Sequence, residues 1–392
     1  MEYNVKMIDF CKIYLGGVKG VSSIPNGISN RVCLVETIDS KYVIKEINPS
    51  RTKTEAHVKR IELSEQIGFL AKEKGISSIA AKKINGKFLH LLEGQYYVVY
   101  KFFEGHIKTP NEITMENCYS VGKELAKIHN MDISCDDHLS KCINSFSYGS
   151  VGLSHKVEWE DYMERVAKAN PKWLTKFEEK LPGLHEMFYH SLVGFLSFIP
   201  SDIVVSHNDL HPENVMWKDD VPYVIDWEAA GLVDATFDCL HMSMRWATTS
   251  GKESRNIEQD KLYAFFKGYA KERSINIENI EISLYMVFYR RLNSLRYALI
   301  NFIKYEDEMM RKRLGYQINY SLAILDTYLD QLNKIDEIKN YIAKLQPEET
   351  YKKSPSYELM PKMKMFVNNN NAMIDKYKEV RRKYAFVKDK VK

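Results

Sequence analysis

The residues best suited to do chemistry stand close together: His207-Asn208-Asp209-Leu210-His211-Pro212-Glu213-Asn214, then Asp226 in the run Val224-Ile225-Asp226-Trp227-Glu228. Asp209 and Asn214 lie five positions apart, and Asp226 follows twelve residues after Asn214. An apolar run, a loop presenting Asp and Asn, a tight hairpin and a second Asp at a strand end bring three oxygen-bearing side chains towards one point. That arrangement suits Mg²⁺ and phosphate. The ion takes hard oxygen ligands and keeps several waters, so one carboxylate and one amide suffice when phosphates supply the rest.

The elements that must position these residues follow from the patterning. Ile203 to Ser206 is a β-branched, buried-looking run, and Val215-Met216-Trp217 and Tyr223-Val224-Ile225 flank the turn Lys218-Asp219-Asp220. This β insert sits inside a mostly helical stretch: helices are expected over 116–130, 156–170, 183–196 and in a series from Asp234 to about Leu345. Upstream, Val32 to Val35 and Lys41 to Ile47 read as paired strands, Thr52 to Lys74 as an amphipathic helix ending at Gly75, and 87–92 and 96–103 as two further strands turned at Glu93-Gly94. The fold class is therefore α+β in two lobes. A small antiparallel β-sheet with one helix occupies 1–101 and a larger, mainly α-helical lobe occupies 102–345. Residues 346–392, rich in lysine and carrying Pro347, Pro355, Pro361 and the tract Asn368 to Asn371, form a basic extension.

Composition narrows the classes. The chain has 392 residues, 45% apolar and 28% charged, an ordinary globular mixture with room for two or three folding units. A formal charge of +4 gives no argument for nucleic-acid or membrane partners. The six cysteines show no CxxC pair and no spacing for zinc, so they read as reduced thiols. With Glu2, Lys6 and Asp9 ahead of any apolar run, no secretory signal is expected, and the cytoplasm is the expected location. The most apolar stretch, Met187 to Ser201, contains His190 and Pro200 and reads as a buried helix.

The HxD-plus-Asn loop with its second Asp resembles the catalytic loop of the kinase-like fold, in the version of aminoglycoside phosphotransferases, choline kinases and spore-coat protein S-like kinases. The resemblance implies that ATP and Mg²⁺ are the cofactors and that the γ-phosphate moves to a hydroxyl of a small molecule. Asp209 would accept or orient the hydroxyl proton, Asn214 and Asp226 would hold the metal, and His207 would brace the loop. Further motifs fit it. Tyr42-Val43-Ile44-Lys45 puts a lysine on a strand, where Lys45 would meet the α- and β-phosphates. Gly27-Ile28-Ser29-Asn30-Arg31 resembles the GxSN-like phosphate loop of choline kinases, with Gly27, Ser29 and Asn30 facing nucleotide. Glu62 is the favoured helix partner of Lys45 among Glu55, Glu62 and Glu65. The strand around Val99 and Lys101 would meet the adenine edge, and Glu228 would face the acceptor. His129 reads as a packing or capping residue, and Asp234 and Asp238 as loop anchors or helix caps. Protein-kinase features are missing: Asn208 stands where HRD has arginine, Trp227-Glu228 follow Asp226 in place of Phe-Gly, and no Ala-Pro-Glu follows. A small-molecule acceptor is thus expected rather than a protein.

The acceptor itself is left open. Trp227, Trp246, Tyr285 and Tyr289 offer aromatic faces for a cation, whereas Arg290 and Arg291 offer charge for an anion or a sugar hydroxyl. Oligomeric state is also open. The rival to an enzyme is a non-catalytic kinase-like protein of a spore coat or other assembly, which would have no physical need for the full set of metal ligands.

Overall fold

The computed structural model describes residues 5–24, 30–133, 159–169, 171–249 and 255–346. Gly27, Ser29, Cys135, Cys142, the start of the helix expected at 156 and the extension beyond Gln346 lie outside the described residues.

The smaller sheet grows from short, β-branched runs that turn tightly. Strands β1 (Val18–Ile24), β2 (Arg31–Thr37), β3 (Lys41–Glu46), β4 (Leu89–Leu92) and β5 (Gln95–Lys101) form an antiparallel sheet in the order β1-β2-β3-β5-β4. The register sets Val32 against Lys45 and Lys45 against Val98, which fixes the lysine mid-sheet. Helix α1 (Val5–Leu15) closes one face through Phe10, which stacks on Tyr97 at 4.6 Å. Neither α1 nor β1 was expected from the sequence, since their apolar residues are interrupted by lysine and serine and pair only with distant partners. Helix α2 (Glu55–Glu73) begins at Thr54, whose side chain accepts from His57 N–H, and packs its Ile61, Ile67 and Ala71 inward.

The larger part holds the helices α3 (Met115–His129), α4 (Trp159–Ala167), α5 (Leu174–Ser197), α6 (Ala235–Ala247), α7 (Gln259–Tyr269), α8 (Ile280–Lys304), α9 (Glu308–Ala323), α10 (Leu325–Asp330) and α11 (Ile335–Leu345). Helices α3 and α7 cross at glycines: a Cβ on Gly122 would lie 2.2 Å from the Phe265 carbonyl oxygen, and one on Gly268 would lie 1.9 Å from that of Tyr119. Helix α5 starts well before the expected residue 183 and carries Pro182 inside it, forgoing one backbone hydrogen bond there. The β insert is as the sequence suggested. Strand β7 (Ile203–Ser206) leads into the loop, and β8 (Val215–Lys218) pairs with β9 (Val221–Val224) across Asp219 and Asp220, both at positive φ. Two short strands complete it: β6 (His106–Ile107) against β8, and β10 (Gly231–Asp234) against β7. Among the described residues no helix is long and apolar enough to cross a membrane, and Cys11, Cys33, Cys118 and Cys239 are free and buried.

The two parts meet where α2 lies on Trp227. A Cβ added to Gly68 would sit 2.7 Å from Trp227 Cγ. Since Trp227 directly follows Asp226, this contact sets the height of the site between the lobes. Gly68→Ala is expected to destabilise the protein by about 1–3 kcal/mol through overpacking, despite the better helix propensity of alanine. Thermal unfolding checks this; an unchanged or raised midpoint would contradict it.

Candidate active site

The loop after β7 is held by hydrogen bonds from every side. His207 Nε2 lies 2.9 Å from the Ile225 carbonyl, which can only accept, so Nε2 carries the proton and Nδ1 is left to accept from Asp209 N–H at 3.3 Å. Burial disfavours the charged ring, which fits this neutral tautomer. The ring packs edge-on against Trp227 at 4.9 Å. Asn208 adopts the left-handed conformation at φ 62°, and its carbonyl accepts from Arg290 at 2.8 Å. Trp246 Nε1 donates to the Leu210 carbonyl at 2.8 Å. Beneath the loop, His129 bonds Tyr269 at 2.7 Å and lies 3.2 Å from both Ser206 and Asp238. Asp234 caps α6 through Phe237 N–H and also accepts from Ser201 N–H.

Asp209 and Asn214 face each other across this loop. Asn214 Nδ2 donates to the Asp209 carbonyl at 2.8 Å and approaches its carboxylate at 3.4 Å. With the amide nitrogen so engaged, the Asn214 side-chain oxygen is the atom left to act as a ligand. Burial alone would raise the Asp209 carboxyl, but the hydrogen bond from His211 and the charges of His211 and Arg245 outweigh it and hold it well below the usual carboxylate range. Asn214 is tied to the end of β9 by the bond from Ile225 N–H to its carbonyl, 3.0 Å. The next residue, Asp226, is again left-handed at φ 62°, a conformation Asp tolerates better than most residues.

From the sheet side, Lys45 Nζ reaches Asp226 Oδ1 at 2.7 Å and Glu228 Oε2 at 2.9 Å. The lysine side chain is 10% exposed. Burial would lower its pKa, yet the carboxylates of Asp226 and Glu228 outweigh that and raise it, so the ammonium is charged. Residues 181 positions apart in sequence are thus joined by one ion pair across the crevice.

Several expected placements need correction. Glu62 does not face Lys45: its carboxylate accepts from the backbone N–H groups of Phe88 and Leu89 at 2.9 and 2.7 Å. The helix carboxylate whose charge acts on the lysine is Glu65, buried at 2% exposure and bonded by Tyr100 Oη at 2.7 Å. Glu65 lies one turn from both Ile61 and Gly68 on the inward face of α2, and that shared face was the available signal. Glu228 does not point to the acceptor side; it accepts from Lys45, from Arg51 at 2.6 Å and from Asn30 at 3.2 Å, because those donors of the sheet side draw it in. Val99 is not open to an adenine edge either. Its side chain is in the sheet core and its carbonyl accepts from Lys82 N–H at 2.7 Å, whereas Lys101 is exposed at the end of β5. Asn30 does sit in the crevice, with its amide also fixing Asn48 N–H at 3.0 Å. Arg51, Tyr100 and Arg245 escaped the sequence analysis, since nothing in their local patterns marks them.

Burial pushes Glu65 up to about 7 against the opposing pull of Lys45 and Tyr100. A carboxyl raised in the folded state above its ordinary value near 4.5 weakens the fold as pH rises from there through 7. Unfolding between pH 5 and pH 8 is therefore expected to show Glu65→Gln with a shallower loss of stability than wild type, by on the order of 3 kcal/mol over the interval. Parallel slopes for the two proteins would contradict this.

Comparison with known proteins agrees with the architecture. The model of the phosphotransferase enzyme family matches residues 20–273, whereas no curated protein matches the sequence. Among solved structures, the fold is similar to that of a spectinomycin phosphotransferase in complex with ADP and spectinomycin (TM-score 0.62, 14% identity, 83% of this chain and 98% of that one). It is similar also to an amicoumacin kinase with AMP-PNP, Ca²⁺ and Ami (0.55, 12%, 82% and 93%) and to a microcompartment-associated aminopropanol kinase (0.54, 13%, 84% and 98%). At such identities the likeness is one of fold. The family match covers more than half of the sequence and includes the lysine strand and the loop that faces it: this chain belongs to the phosphotransferase enzyme family.

Proposed function

We propose that the protein is a kinase of a small hydroxyl compound, using ATP and Mg²⁺, with residues 1–101 as the nucleotide lobe, 102–345 as the catalytic and acceptor lobe and 346–392 as an appended extension. The observation that carries the reading is the 2.7 Å pair between Lys45 and Asp226, which closes the crevice at the place where a triphosphate would be held. The spectinomycin and amicoumacin enzymes, similar in fold, were seen with ADP and AMP-PNP, which supports a nucleotide there.

In this reading Lys45 leaves its carboxylate partners to meet the α- and β-phosphates, and Asn30 approaches the phosphates from the sheet side. The Asn214 oxygen and the Asp226 carboxylate form a hard oxygen pair that fits Mg²⁺ together with phosphates and water. When bound, such an ion neutralises charge on the phosphate oxygens. Asp209 orients the acceptor hydroxyl in line with the γ-phosphorus. The acceptor oxygen forms its bond to phosphorus as the bond to the bridging oxygen breaks; ADP leaves and the hydroxyl proton passes by way of Asp209 to water. Because its carboxyl is held so low, Asp209 does not retain that proton. The acid limb of the rate profile is therefore expected to come from groups other than Asp209.

ADP release across a panel of aminoglycosides, amino alcohols, sugars and hydroxy acids tests the function. An acceptor-dependent signal that disappears in Asp209→Ala is expected. A protein that releases no ADP with any acceptor and binds ATP no better with Mg²⁺ than without it would overturn the reading.

A further inference from the structure

Around Asp209, the helical part gathers more positive charge than it offsets. Arg245 on α6 is one-quarter exposed and lies 3.3 Å from the Asp209 carboxylate. Arg291 on α8 donates to Tyr328 Oη at 2.9 Å, and its Nε is buried with no partner. Arg255 lies over the ring of Tyr320 at 4.4 Å. The two arginines of the helices repel each other: Arg245 is disfavoured by burial and by the charge of Arg291, and is offset chiefly by Asp209. Behind them, burial and the cations Arg290, Arg291 and Arg245 hold His241 well below its ordinary pKa.

Among the described residues, Asp209 is the one carboxylate that any of Arg245, Arg255 and Arg291 bonds. Asp238 bonds His129 and Ser206 through one oxygen and Asp326 bonds Lys180, so neither meets these arginines. Bracing the loop does not explain the excess, because Arg290 already does this through the Asn208 carbonyl. Like charges kept together in a partly buried wall cost stability, and sites that bind or react are where such cost is retained. The planar fork of arginine, moreover, matches carboxylate and phosphate oxygens in pairs.

We infer that the phosphate acceptor carries an anionic group, carboxylate or phosphate, near the hydroxyl that is phosphorylated, and that Arg245 and Arg291 hold this group while Asp209 faces the hydroxyl. The assignment rests on the kinase reading and specifies its substrate class. It sets this pocket apart from one for a cationic acceptor, which would want carboxylates or an open aromatic cage; Trp227 and Trp246 are both buried, at 1% exposure.

The test uses acceptors with one skeleton and different charge: glucose, glucosamine, gluconate and glucose 6-phosphate, with ATP and Mg²⁺. Gluconate or glucose 6-phosphate is expected to exceed glucose at least tenfold in kcat/KM, and which of the two leads separates carboxylate from phosphate. Arg291→Gln is expected to raise KM for the anionic acceptor about tenfold and so to narrow its advantage over glucose, and Arg291→Lys to restore part of the loss. Preference for glucosamine or glucose would overturn the inference and leave phosphoryl transfer standing. Calorimetry with sulfate gives a readout that needs no turnover. Binding weakened by Arg245→Gln and by Arg291→Gln but not by Lys45→Met supports the anion site, and it would do so even if the kinase reading failed. No sulfate binding, or binding lost only in Lys45→Met, overturns it.

Discussion

Asp209→Asn is expected to lower kcat by roughly 10²–10⁴-fold, the range typical for loss of a positioned acid–base group, with little change in KM for ATP. The amide is nearly the same size, so the bonds that hold the loop survive: Asn208 still meets Arg290 and His207 still bridges to Ile225. What is lost is a negative charge that His211 and Arg245 keep ionised at every ordinary assay pH. A second consequence follows from the same geometry. Removing the carboxylate leaves Arg245 facing Arg291 without its offset, so an anion such as sulfate is expected to bind Asp209→Asn more tightly than wild type. Steady-state kinetics and sulfate titration together check both parts. Full activity in the variant would contradict the role given to Asp209.

Lys45→Met is expected to be nearly as severe, with a loss of roughly 10²–10³-fold in turnover, comparable to deleting one preorganised charged donor. It also carries a cost in stability, because it strips two carboxylates of their shared cation. Lys45 is the cation shared by Asp226 and Glu228, and it lies close enough to Glu65 to oppose the burial of that carboxylate. Without it Asp226 loses its ion-pair partner and Glu228 keeps Arg51 and the Asn30 amide. Because Asp226 and Glu228 are partly exposed, the cost is set at about 2 kcal/mol, below that of breaking a fully buried pair. Lys45→Arg separates the two effects, since it keeps the charge and most of the stability but puts a planar fork where a compact ammonium is needed. Thermal unfolding of the three proteins, compared with their turnover, checks this; a Lys45→Met protein as stable as wild type would mean that the ion pair contributes nothing to holding the lobes.

The site was legible in the sequence to the extent that it is local. Asp209, Asn214 and Asp226 lie within one strand–loop–hairpin unit, and the Lys218-Asp219-Asp220 turn announces its own geometry, with both aspartates at positive φ. Lys45 was readable because its strand is short, β-branched and paired across a brief turn. What failed was whatever tertiary contact decides. Glu62 and Glu65 differ by less than one helical turn; the face Glu65 shares with Ile61 and Gly68 was the sequence signal, and the packing of Gly68 against Trp227 shows that this face looks into the crevice. Glu228 has no local preference and follows the charges of Lys45 and Arg51, both from distant sequence. Strand β10 exists because Gly231 to Asp234 pairs with Ser206 to Ile203, a match with no signal in its own four residues. Arg291 stood out beside Arg290 as a charged pair, but Arg245 lies on another helix and comes near Arg291 only in the fold.

Lys45, Asp226 and Asn214 are proposed to form one nucleotide–metal site, with Asp209 beside it and not part of it. Electron paramagnetic resonance of Mn²⁺ with ATP tests this directly. Wild-type protein is expected to bind the Mn²⁺–ATP pair far more tightly than ATP in the presence of a chelator, Asp226→Ala to lose that metal-dependent gain, and Asp209→Ala to keep it. ATP binding of equal strength with and without the metal, or an Asp226→Ala protein indistinguishable from wild type, would contradict the account.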